Sequence, residues 1–86
     1  MSTHPRDSLL IVRDILAVAV KKVSKTEIVY RSNINFVAAE KYISKLLLRG
    51  MIETVSDEGK SKFQTTQTGL EALAKLTEVQ KLFEES

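Results

Sequence analysis

Twelve side chains carry the chemistry that this sequence is equipped for. Lys25, Arg31, Lys41, Lys45, Lys60 and Lys62 are cations of the kind that neutralise nucleic-acid phosphates. Thr26, Asn33, Asn35 and Ser44 add hydroxyls and amides, and Val37 and Ala38 add small apolar groups. Asn35, Val37, Ala38, Lys41 and Ser44 fall at the start of one helical segment, the end that enters a major groove first. Such a set suits non-covalent contact with duplex DNA. Covalent chemistry has no comparable set. There is no cysteine, which excludes disulfides and thiolate metal sites, and the one histidine, His4, reads as a solvated tail residue. No glycine-rich loop and no nucleophile with a placed base is visible, so no catalytic residue, metal or cofactor is expected.

These residues need a frame that presents them on one surface, and the pattern of the chain supplies one. A first helix is expected over about Pro5 to Val23, with Pro5 in its first turn, where a missing N–H costs nothing. A second runs from Lys25 to Ser32, capped by Ser24, with Ile28 and Val29 inward. Asn33-Ile34-Asn35 is the turn, with Ile34 as its buried plug; Asn tolerates the left-handed backbone such turns use. A third helix spans about Phe36 to Arg49 and buries Ala39, Ile43, Leu46 and Leu47, with Tyr42 at the border. Gly50 ends it. Asn35 is placed to cap this helix, and capping leaves its side chain less free to read an adenine. Tyr30, Tyr42, Phe36 and Phe63 read as core or rim rather than as stacking platforms.

Met51–Ser56 and Ser61–Thr65 then form two strands around the turn Asp57-Glu58-Gly59-Lys60. Lys60 and Lys62 sit at or beside its tip, opposed by Asp57 and Glu58. A fourth helix starts near Thr66 or Thr68 and reaches about Glu84. The expected fold is mainly α with a small β-hairpin, in the order helix, helix, helix, strand, strand, helix. That order is a winged helix-turn-helix. Residues 1–86 read as one such domain, with 1–4 as a flexible tail and 66–86 as a C-terminal dimerisation helix.

The reason to expect a dimer is surplus apolar surface. Eleven of the fifteen residues from Leu9 to Val23 are apolar, so that helix must be covered on most of its circumference. One stripe, Leu9, Val12, Leu16, Ala19 and Val23, serves the protomer's core. A second, Ile11, Ile15 and Val18, is left for the last helix or a second chain. Leu70, Leu73, Leu76, Val79 and Phe83, flanked by Leu82, continue past the reach of a small core. These residues form the expected homodimer interface.

Charge agrees with this frame. Residues 1–50 hold nine Lys/Arg against four Asp/Glu, a net +5, and residues 51–86 hold four against seven, a net −3. The positive excess therefore lies with the helix-turn-helix. The longest apolar run, Ile15–Val20, is far short of the roughly 20 residues that cross a membrane. The first residues do not form a basic region followed by an apolar one, so no secretory signal is visible. The expected location is cytoplasmic and nucleoid-associated.

The chain resembles the small archaeal winged-helix DNA-binding proteins, a group of chromatin-associated dimers and related regulators, some carried by archaeal viruses. The resemblance rests on KTEIVYRSNINF, AEKYISKLLLRGMIE and KFQTTQTGLEAL. Its residues here are Lys25, Thr26 and Ile28; Asn33, Ile34 and Phe36; Tyr42, Ile43, Leu46, Leu47, Gly50 and Ile52; and Phe63, Thr66 and Gly69. It spans about residues 8–85. It implies a homodimer joined through the terminal helices, with double-stranded DNA as ligand. The last helix is short for a long coiled coil, so a compact interface using the first and fourth helices is expected.

Three functions remain open on the sequence. The first is a homodimeric transcriptional regulator, with the third helix in the major groove and the hairpin on the backbone. The second is a sequence-independent architectural or chromatin protein. The third is a winged-helix protein-interaction module that does not bind DNA, which the modest net charge of +2 and the acidic pair at the hairpin would suit. No small-molecule substrate and no effector is evident.

Overall fold

The computed structural model describes residues 8–84. The elements are α1 (Ser8–Val18), α2 (Lys25–Ser32), α3 (Phe36–Leu48), β1 (Ile52–Asp57), β2 (Lys60–Thr65) and α4 (Gln67–Glu84). Their order is the one expected. Pro5, His4 and the tail lie outside the described residues.

The first three helices and the start of β1 share one core. Ile15, Leu16, Ala19, Val23, Ile28, Val29, Ala39, Ile43, Leu46 and Ile52 are buried together, and Phe63, Leu73 and Leu76 pack against them. Ile15 corrects an expectation. It is fully buried among the protomer's own core residues and is closed to any partner. Ile11 and Val18 are half-buried on the edge of the same cluster.

The first helix is shorter than its apolar pattern suggests, ending at Val18 rather than Val23. The cause is β2. Thr65 Oγ1 donates to the Leu16 carbonyl at 2.7 Å, and Thr65 N–H donates to the Ala19 carbonyl at 2.8 Å. Carbonyls at the end of α1 are thus satisfied from a strand rather than by another helical turn. Val23 then forms an antiparallel bridge with Phe63 through two backbone hydrogen bonds of 3.0 and 2.8 Å.

Local signals set the other boundaries. Ser24 caps α2: its Oγ accepts the Glu27 N–H at 3.1 Å, and Glu27 Oε1 accepts the Ser24 N–H at 3.0 Å. This reciprocal pair is a capping box. The Ser24 N–H bonded to its carboxylate holds Glu27 below its ordinary value. Asn33 ends α2 in the left-handed region at φ 56°. Gly50, at φ 71°, ends α3. There Met51 N–H reaches the Leu46 carbonyl at 2.9 Å and Gly50 N–H the Leu47 carbonyl at 3.1 Å, a Schellman pair.

The hairpin is antiparallel, with Ile52 opposite Thr65 and Asp57 opposite Lys60. Its turn is two residues, Glu58-Gly59, rather than four. Both have positive φ, 53° and 80°, the arrangement whose twist matches the flanking strands. Thr66 joins hairpin to α4: its Oγ1 donates to the Gly50 carbonyl at 2.6 Å and accepts the Gly69 N–H at 3.1 Å. Gly69 lies against the Met51 carbonyl, where an added Cβ would come within 2.0 Å of the oxygen. The Thr66-x-x-Gly69 spacing is therefore a close crossing of α4 over the start of β1.

Candidate nucleic-acid interface

α3 is the element that presents most of the expected contacts. Ala39, Ile43 and Leu46 pin it to the core. Asn35 fixes its start, with Oδ1 accepting the Ala38 N–H at 2.7 Å. The cap takes the carbonyl oxygen of Asn35, so its structural role is to aim the helix. Ala38 is half-buried, which leaves it less available to a groove than expected. Leu47, expected inward, is 37% exposed. Ile34, expected as a buried plug, is half-buried.

With that inner face pinned, Val37, Lys41, Ser44 and Leu48 form the outward face at spacings of four, three and four. Lys45 flanks it. Val37 is 80% exposed and Leu48 85%. Among the described residues no carboxylate lies within ion-pair distance of Lys41 or Lys45. Lys41 Nζ sits 5.9 Å from the centroid of the Tyr42 ring. Glu40, the one acid in α3, is paired with Lys25 of α2. Thr26 and Arg31 are exposed on α2, and Asn33 is exposed at the turn. Tyr30 is 76% exposed and Phe36 50%. Tyr30 thus belongs to neither core nor rim.

The hairpin differs from a simple cationic clamp. Lys60 is exposed at the tip. Lys62 Nζ is 3.1 Å from Asp57 Oδ2, and Lys22 Nζ is 3.7 Å from Asp57 Oδ1. The Lys62 hydrogen bond, then the charge of Lys22, hold the Asp57 carboxyl below its ordinary value. Lys22 was not among the residues singled out from the sequence. The double lysine at 21–22 was the available signal, but the fold alone brings it to the hairpin. Glu27 was legible in the Ser24-x-x-Glu27 spacing.

Helix α4 lies along α1. Arg13 contacts Gln80 and donates to Asp14 Oδ1 at 2.7 Å. A groove of about 340 Å³ lies between α1 and the end of α4, walled by Leu9, Leu10, Leu76, Val79 and Phe83. Leu73 and Leu76 are half-buried on the protomer's core, and Leu70 is 39% exposed. Val79 and Leu82 are 63% and 67% exposed, and Phe83 82%. Among the described residues no cluster could hold a metal ion, and no helix is long and apolar enough to cross a membrane.

A family model described as winged helix-turn-helix matches residues 5–84. The chain belongs to the winged helix-turn-helix family. Solved structures share the fold. Sso10a-2, a DNA-binding protein from Sulfolobus solfataricus, is 26% identical with a TM-score of 0.85, over 93% of this chain and 84% of that one. The transcriptional regulator BldR from the same organism is 20% identical with a TM-score of 0.75, over 91% of this chain and 59% of that one. F-93 of SSV1 matches over 98% of both chains, at 9% identity and a TM-score of 0.73. No curated protein sequence matches the chain. In this family's terms the hairpin is the wing.

Proposed function

We propose that this protein is a homodimeric, double-stranded-DNA-binding transcriptional regulator. Its third helix, α3, is the recognition helix and enters the major groove, and its wing lies along the backbone. The observation that carries this reading is the outward face of α3. That face is cationic, without an unpaired acid, and is held rigidly by the Asn35 cap and the Ala39–Ile43–Leu46 contact. Lys41 and Lys45 meet phosphates, with Arg31 and Thr26 beside them and Lys60 at the wing. Lys25 and Lys62 can join only by exchanging their carboxylate partners for phosphate. The DNA-binding relative Sso10a-2 supports the same reading.

The dimer uses the end of α4 with the edge of α1. Val79 and Leu82 present apolar side chains to water in the protomer, and a second copy would cover them. On this reading Ile11 and Val18 of α1 and Leu70, Leu73 and Leu76 of α4 would border the interface. The residue range 1–86 acts as one unit on this reading.

The test is Lys41→Glu with Lys45→Glu. Duplex binding is lost while circular dichroism shows an unchanged fold. Retained binding would put the contact surface elsewhere and favour a protein-interaction module. The dimer has its own test in Val79→Glu with Leu82→Glu, which leaves the core intact and halves the mass in sedimentation. A particle of unchanged mass would remove α4 from the interface.

A further inference from the structure

We infer that Val37 reads sequence, by packing its two methyl groups on the C5-methyl of a thymine in the major groove. The inference rests on the DNA-binding reading above and deepens it.

Val37 is a β-branched apolar residue left 80% exposed in the first turn of α3. Among the described residues little covers it, and its burial adds little to the fold. Its position is fixed all the same. Asn35 caps the helix at 2.7 Å through the Ala38 N–H, one residue away. A β-branched side chain in a helix has essentially one χ1 rotamer, so its methyls point in a set direction. Lys41 and Ser44 share its face, and Lys45 flanks them. An apolar point followed along its helix by a cation and a hydroxyl, with Leu48, the next exposed apolar residue of that face, eleven positions and roughly 16 Å away, is not a continuous apolar surface. It matches a polyanion that offers an isolated apolar group. In a duplex that group is the thymine methyl, which lies in the major groove and which no other base carries.

The polar candidates on the same turn are less available. Asn35 has committed its acceptor to the cap, and Ala38 is half-buried. Lys41 can reach phosphate or guanine. Val37 is the most exposed apolar side chain on this turn, ahead of Phe36 at 50%.

The experiment begins with selection of duplexes from a randomised library by the wild-type protein. Each thymine of an enriched duplex is then replaced singly by deoxyuridine, which removes only the methyl. Wild type should lose roughly four-fold in affinity at one thymine per half-site, the size expected for one buried methyl group. Val37→Ala should bind the thymine and uridine forms of that site equally while keeping its helix content. Three results would overturn the inference and leave DNA binding standing: a library that does not enrich, a wild type indifferent to every uridine, or a Val37→Ala protein with undiminished discrimination. Failure of wild type to bind any duplex would remove the parent reading, and this inference with it.

Discussion

Asp57 at the end of β1 holds Lys62 of β2 at 3.1 Å across the wing and draws Lys22 to 3.7 Å from its other oxygen. One carboxylate thus engages two cations, one of them on the wing proposed to lie along the DNA backbone. Asp57→Asn releases both. Affinity for duplex should rise several-fold at low salt, and the log–log salt slope should steepen by about 0.9 for each new phosphate contact. Anisotropy titrations at several salt concentrations measure both quantities. Unchanged affinity and slope would show that neither lysine reaches the backbone.

Gly69 has no room for a side chain. A Cβ there would meet the Met51 carbonyl oxygen at 2.0 Å and Thr65 Cγ2 at 2.6 Å. Neither the strand start nor the buried Thr65 can yield easily. Gly69→Ala should therefore destabilise the protein by about 1–3 kcal/mol despite the better helix propensity of alanine. Urea unfolding checks it; a neutral result would mean that α4 crosses β1 at a greater distance.

Glu58 is the first residue of the two-residue turn and sits at φ 53°. The left-handed region costs an ordinary residue about 1–2 kcal/mol, and asparagine tolerates it better. Glu58→Asn gives the Asn-Gly pair that such hairpins favour. It should stabilise the fold by roughly 0.5–1 kcal/mol on that account. A higher thermal midpoint is the expected result, and a lower one would argue against this turn geometry.

The acid limb of stability follows from Glu27. Bonded by the Ser24 N–H, its folded value lies below the ordinary 4.5. A depressed carboxyl stabilises the fold above its unfolded value, and that contribution is lost as pH falls through the folded one. Glu27→Gln keeps a neutral acceptor for the capping box. Wild type should exceed the variant in thermal midpoint above about pH 4.5, the ordinary value of this group. The gap should close at lower pH. A gap independent of pH would mean that the charge of Glu27 has no part in the cap.

Features governed by near neighbours could be read from the chain. Ser24, Asn33, Asn35 and Gly50 each act on residues within a few positions, and each does what its type suggests. The order of elements follows from them. What escaped depends on distant partners. α1 stops at Val18 because Thr65 takes its carbonyls. Ile15 turns inward because the other elements close a shared core over a face that its own periodicity leaves ambiguous. The same holds for the site. The outward placement of Val37, Lys41 and Ser44 follows from helical spacing, whereas the pairing of Lys25 with Glu40 and of Lys62 with Asp57 exists only once the elements pack.

The central claim is that this winged-helix chain binds duplex DNA through electrostatic contact along α3 and the wing. The most direct test is fluorescence anisotropy of a labelled random duplex of roughly 30 base pairs, titrated at low and at moderate salt. Binding at low salt should weaken steeply as salt rises, and Lys41→Glu with Lys45→Glu should abolish it. Absence of wild-type binding at low salt, with the protein folded, would contradict the claim.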